Sequence, residues 1–194
     1  SENNFFGTGR RVSMGLNTSK SVKSARFSYL NPYYTVDGVS RGFSVFAKAT
    51  DFDNLNTSAY ILDTVGGAVT FGYPINNFSR LNFGLTATND QLEAGDESAL
   101  EIVDFIDEHG DDFNNLTLDL SWTRNTLNRG MFATQGLSQS LSVNITTPEI
   151  SDLQFYKANY RTNFYQPLDR FHTWVMRLRS DIGYGDGYGD TSEL

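Results

Sequence analysis

His109 and His172 are the only histidines in this 194-residue chain, and there is no cysteine. A Ser-His hydrolase would need one of the two beside a nucleophile and a third group to orient it. His109 lies in an acidic stretch and His172 beside Phe171 and Trp174, with no nucleophile motif around either. The missing cysteines remove thiolate metal ligands and disulfides. GYGDGYGD (183–190) has glycines spaced like a phosphate-cradling loop, but no helix follows it in this sequence. The dinucleotide and P-loop readings therefore fail their context. Asp186 and Asp190 offer oxygen ligands suited to weak Ca²⁺ binding, but the simpler reading is a turn leaving a sheet. No catalytic, cofactor-binding or metal-ligating residue is assigned, and the expectation is a protein that is not an enzyme and needs no cofactor.

What the residues do specify is a scaffold. The chain is 39% hydrophobic and 14% aromatic, with 15 Phe, 10 Tyr and 17 Gly, which favours an all-β fold. No window approaches the roughly 18 apolar residues of a spanning helix. Net charge is −8, which argues against nucleic acid as a partner. Period-2 alternation is the dominant signal. It recurs nine times, at Val12–Leu16, Ala25–Tyr29, Phe43–Ala47, Val65–Tyr73, Leu81–Ala87, Leu116–Trp122, Leu141–Ile145, Tyr156–Phe164 and Trp174–Ile182. Each segment predicts a strand with one apolar and one polar face.

Ordinary soluble strands are about 5–6 residues long. Ten or eleven residues tilted near 40° rise about 25–28 Å, the height of an outer-membrane apolar band. The polar faces include Lys157, Asn159, Arg161, Asn163 and Arg177, Arg179, Asp181, mid-strand runs suited to a wet lumen. The connections alternate in kind. NPYYTVDG (31–38), YPINNFS (73–79), RNTLNRGMFATQG (124–136) and YQPLDRF (165–171) are aromatic, and three carry proline. NTSKSVKS (17–24), TDFDNLNTS (50–58), residues 89–112 and TPEISDLQ (147–154) are polar or acidic. An up-and-down meander puts each kind on its own rim, with Tyr33 and Tyr34 as girdle aromatics. In the longest connection, Leu100, Val103, Phe105 and Ile106 predict a short amphipathic helix, with Ser98 and Glu101 as a capping box and Gly110 as its stop. The acidic cluster Asp90, Glu93, Asp96, Glu97, Asp107, Glu108, Asp111, Asp112 reads as a solvated loop. Its sharper reading is divalent-cation bridging to lipopolysaccharide phosphates. Nine strands is an odd number, whereas single-chain bacterial barrels close with even ones. The expectation is that residues 1–194 are part of a larger barrel.

NNFFGTGRRVSMGLN, NPYYTVDGVSRG, GYPINNFSRL, WTRNTLNRGMFATQG and IGYGDGYG, in that order, resemble the bacterial surface antigen family of outer-membrane barrels. The likeness covers essentially the whole chain and is weakest in the acidic loop. It implies a sixteen-stranded transmembrane β-barrel of which this chain supplies the third to eleventh strands. The aromatic turns would be periplasmic and the helix-bearing loop the fourth extracellular one. It further implies a factor that folds and inserts β-barrel proteins into the Gram-negative outer membrane. Unfolded outer-membrane proteins would be its substrates; the lipid bilayer, lipopolysaccharide and other assembly-complex lipoproteins its partners. The family's POTRA domains, seam strands and sixth-loop arginine motif have no counterpart in this sequence, so no family site residue is carried over. Two other readings are a passive pore of the same architecture and a soluble β-sandwich binding module. A sandwich would press its apolar faces together in a dry core.

Overall fold

The computed structural model describes residues 2, 4–52, 60–95, 98, 100–171 and 173–189. Nine strands form: β1 (Arg11–Thr18), β2 (Val22–Asn31), β3 (Ser40–Asp51), β4 (Tyr60–Asn76), β5 (Ser79–Ala94), β6 (Asp112–Asn125), β7 (Gly136–Thr146), β8 (Phe155–Pro167) and β9 (Val175–Gly187). They pair in sequence order, all antiparallel, as one open sheet. Every alternating segment of the sequence became a strand. Local alternation and hairpin connection suffice here because each strand's partner is its neighbour in sequence.

Register keeps the two faces separate over the whole wall. One outward row runs Phe43, Val69, Leu85, Leu118, Ile145, Tyr156 across six strands. The next runs Phe71, Phe83, Leu120, Val143, Ala158, Tyr184. A slip of one residue in any pair would move an entire strand's apolar set to the wrong side. No second layer covers these rows. Among the described residues the one buried hydrophobic is Phe113, at 4% exposure, whereas Leu16 is 72% and Leu178 61% exposed. Among the described residues there is no dry core of the kind a soluble sandwich requires.

The connections agree with the sequence reading in chemistry more than in length. On one rim, here the near rim, Asn and Asp side chains staple the turns. The Phe78 N–H donates to Asn76 Oδ1 at 2.9 Å in the two-residue β4–β5 turn, and the Trp174 N–H donates to Asp169 Oδ1 at 3.0 Å before β9. Asn128 Oδ1 accepts from the Thr134 and Gln135 N–H groups. The far rim holds α1 (Leu100–His109), which ends where Gly110 takes φ +84° and donates to the Ile106 carbonyl at 2.8 Å. Gly110 thus stops the helix as expected. The Glu101 half of the capping box lies outside the described side chains. Length does not separate the rims: the first far connection is a three-residue basic turn, Lys20 at its centre, where a longer loop was expected.

A second correction concerns GYGDG. Residues 183–187 are not a turn leaving the sheet but the end of β9, paired with Phe155–Asn159. The glycines serve packing on the wet side. A Cβ on Gly183 would stand 2.9 Å from Asn159 Oδ1.

Gly66 is more demanding, because a Cβ there would meet the Ala87 carbonyl oxygen at 2.8 Å and the Phe46 ring at 2.7 Å. We predict that Gly66→Val costs about 1–3 kcal/mol through overpacking, read by denaturant unfolding in lipid vesicles. Gly15→Val, with open space around its Cβ, should leave the midpoint unchanged.

Candidate functional site

The functional surface is the wall itself, with a different solvent facing each side. The outward apolar stretch on β4 runs from Val65 to Tyr73. Eight steps of about 3.3 Å at a tilt near 40° rise about 20 Å, and the rim aromatics extend this toward the roughly 25 Å of an outer-membrane band. Polar outward residues close the belt at both ends. At the far rim Val65 pairs with Asn89, whose side-chain amide donates to Asn114 Oδ1 at 3.1 Å, and beyond it Asp63 pairs with Gln91. At the near rim the outward series ends in Arg41 on β3 and Arg124 on β6, beside Tyr34, Tyr73 and Trp122. Tyr33, Tyr34, Tyr73, Phe78 and Trp174 are all exposed there. Rings with polar tips belong at headgroup depth.

The opposite face carries the charges that the belt excludes. Alternation places Arg26, Lys48, Arg80, Lys157, Arg161, Arg177 and Arg179 on it, against Asp90, Asp119 and Asp181. Each carboxylate is held. Asp90 accepts from the Thr64 hydroxyl at 2.7 Å and from Thr88 at 3.1 Å. Asp119 accepts from Thr86 and from the Asn144 amide. Asp181 accepts from Arg161 Nε at 2.8 Å and pairs with Arg179 at 3.4 Å. These are the ion pairs among the described residues. Arg26, Arg80, Lys157 and Arg177 lean on rings and neutral oxygens. Arg26 lies 5.9 Å from the Phe46 centroid, Lys157 is 4.5 Å from that of Phe155, and Arg80 donates to Ser40 Oγ at 3.2 Å. A face this hydrophilic is stable only in water.

The chemistry weighed from the sequence does not assemble. His109 ends α1 on the far rim, and His172 lies outside the described residues, as do Asp96, Glu97 and Asp190. Of the acidic cluster, Asp90 turns to the wet face within β5 while Asp112 starts β6 on the outward face. Among the described residues no three His, Asp or Glu side chains converge as a metal site. What sequence reasoning missed is how the far-rim loop 147–154 is fastened. Ser151 and Asp152 bind the Leu116 and Asn114 backbone of β6, and Leu153 N–H donates to Asn115 Oδ1 at 3.0 Å. The loop completes pairing that β7 is too short to provide. Long-range side-chain pairing to a backbone leaves no periodic trace in sequence.

The profile of the Omp85 superfamily domain matches residues 4–194, on a sheet whose outward side is lined by hydrocarbon. The chain belongs to the Omp85 superfamily. It is 29% identical over 204 residues to the outer membrane protein assembly factor BamA of Neisseria meningitidis serogroup B, covering 100% of this chain and 25% of that protein. The crystal structure of BamA from Haemophilus ducreyi lacking POTRA domains 1-3 matches with a TM-score of 0.85 and 28% identity, over 96% of this chain and 37% of that one. The chain therefore spans about a quarter of the length of the curated relative it matches. As an Omp85 barrel wall, its place is the outer membrane of a Gram-negative bacterium. The resemblance read from the motifs, the all-β class and the short α-helix in the longest connection all stand.

Two predictions follow from the faces. Leu120→Arg, at mid-belt, should cost about 2–4 kcal/mol in bilayer unfolding measurements, whereas Ser121→Arg next to it should be near neutral. Arg161→Gln breaks an exposed pair and should leave the unfolding midpoint essentially unchanged.

In the near-rim loop, the Trp174 N–H chiefly holds the Asp169 carboxyl below its usual 3.8. A depressed carboxyl stabilises above its unfolded value and loses that contribution as pH falls through the folded one. Trp174 fluorescence, in a background where Trp122 and every tryptophan outside residues 1–194 are replaced by Phe, should therefore report loosening of this loop only below 3.8. In Asp169→Asn that acid step should vanish.

Proposed function

We propose that this chain is a barrel segment of a factor that folds and inserts β-barrel proteins into the Gram-negative outer membrane. The observation that carries the reading is the Omp85 match along the whole sheet together with a wall that has no core of its own. On this reading residues 1–194 are part of a larger, sixteen-stranded barrel; the near rim is periplasmic and α1 is extracellular. Unfolded outer-membrane proteins are the substrates and assembly lipoproteins the partners, with lipid and lipopolysaccharide around the belt. It is an assembly factor rather than a classical enzyme.

The physical basis is strand addition. In lipid an unpaired backbone group has no water to satisfy it, so an incoming chain gains by adding to an open sheet edge. On this reading the edge that receives an incoming strand belongs to the barrel's first and last strands, outside residues 1–194. The contribution of this wall is to hold the barrel at membrane depth through its belt.

The test uses the full-length protein reconstituted into vesicles. It should accelerate folding of a urea-unfolded outer-membrane protein, measured by the heat-resistant folded band on gels, above protein-free vesicles. Solute flux with no acceleration of folding would contradict the proposal and support a passive pore.

A further inference from the structure

Arg41 is the one described residue whose buried side-chain nitrogen finds no acceptor in the chain. It lies on the outward face of β3, in phase with Phe43 and Val45, at the near-rim end of the belt. Its guanidinium carbon sits 4.0 Å from the Tyr34 centroid and 5.1 Å from that of Phe43. Tyr34 is set edge-on against Phe71, at 6.4 Å, so the ring beneath the cation is itself fixed. Two rings attract a cation but accept none of its N–H groups conventionally, and a guanidinium has five. Among the described residues no carboxylate answers it: Asp37, in the adjoining turn, forms no ion pair with it.

We propose that Arg41, held against Tyr34 and Phe43, binds the phosphate of an anionic phospholipid in the leaflet facing the near rim. This rests on the reading of the outward face as lipid-facing. At headgroup depth the acceptors outside the protein are phosphate oxygens; Nε is covered by the chain itself, so the two Nη groups of the planar fork are the ones that meet them. The rings set the plane of the fork in advance, so little freedom is lost on binding. The sign of the rim agrees. The outward polar layer at this end holds Arg41 and Arg124, whereas the corresponding layer at the far end sets Asp63, Glu93 and Asp112 against Lys23. The balance of charge is positive at the first end and negative at the second, which favours an anionic headgroup at the first.

The test is native mass spectrometry of the full-length protein from nanodiscs of zwitterionic phospholipid containing a minor fraction of phosphatidylglycerol. Wild type should retain phosphatidylglycerol above its share of the bilayer. Arg41→Gln should lower that enrichment about fivefold, the equivalent of about 1 kcal/mol per basic residue at an anionic surface. Arg161→Gln on the wet face should keep it. Arg41→Lys, which retains charge but not the fork, should fall between and serves if the Gln variant does not fold. Equal enrichment in wild type and Arg41→Gln, or none in wild type, overturns the proposal. So does displacement of the retained lipid by inorganic phosphate, which would mark a free-phosphate site. No folding substrate is present, so failure here leaves the assembly reading intact, and a failed assembly assay leaves this one intact.

Discussion

A backbone amide in hydrocarbon has no partner except another backbone, and everything in this chain follows from meeting that demand with strands. Each strand must pair on both sides with a neighbour, and the cheapest neighbour is the next strand in sequence. The nine-strand meander is the result. Because the sheet is one layer thick, its stability cannot come from a buried core. It comes from the hydrogen-bonded ladder and from two solvents that each reject the wrong face.

That constraint explains where the chain spends its polar residues. Net charge is −8, yet the wet face bears more cations than carboxylates. The acidic excess lies at the far rim, in strand ends and connections. The carboxylates that do face the lumen side are tied by hydroxyls, amides or guanidinium groups, as Asp90, Asp119 and Asp181 show. Small residues then make room: Gly66 accepts the Phe46 ring on the wet face, and Gly183 accepts Asn159. Glycine weakens an isolated strand, but here it lets bulky neighbours lie flat across the wall.

Much of this was legible in the sequence because the governing period is two and the contacts are local. Leu116, Leu118, Leu120 and Trp122 declare a face on their own, and the hairpin order assigns their neighbours. Gly110 announced the end of α1 correctly. Legibility failed where structure depends on partners distant in sequence. GYGDG looked like a turn because glycines dominate it, and only the Asn159 and Lys157 side chains opposite show why a strand needs them. Likewise nothing in TPEISDLQ reveals that Ser151 and Asp152 fasten to β6. The isolated position of Arg41 was also invisible, since its meaning depends on two rings that the β2–β3 hairpin brings together.

Residues 1–194 contain no cysteine, so single ones introduced among them can be scanned in a full-length background cleared of cysteines elsewhere. The decisive measurement places cysteines one at a time at Thr117, Leu118, Asp119, Leu120, Ser121 and Trp122 of the full-length protein in vesicles. Each is tested against a water-soluble maleimide and, as a nitroxide, for oxygen collisions within lipid. The account predicts strict alternation, with odd positions labelled from water and even positions reporting lipid. Even positions shielded from both reagents would mean that a second protein layer covers the belt, and would contradict it.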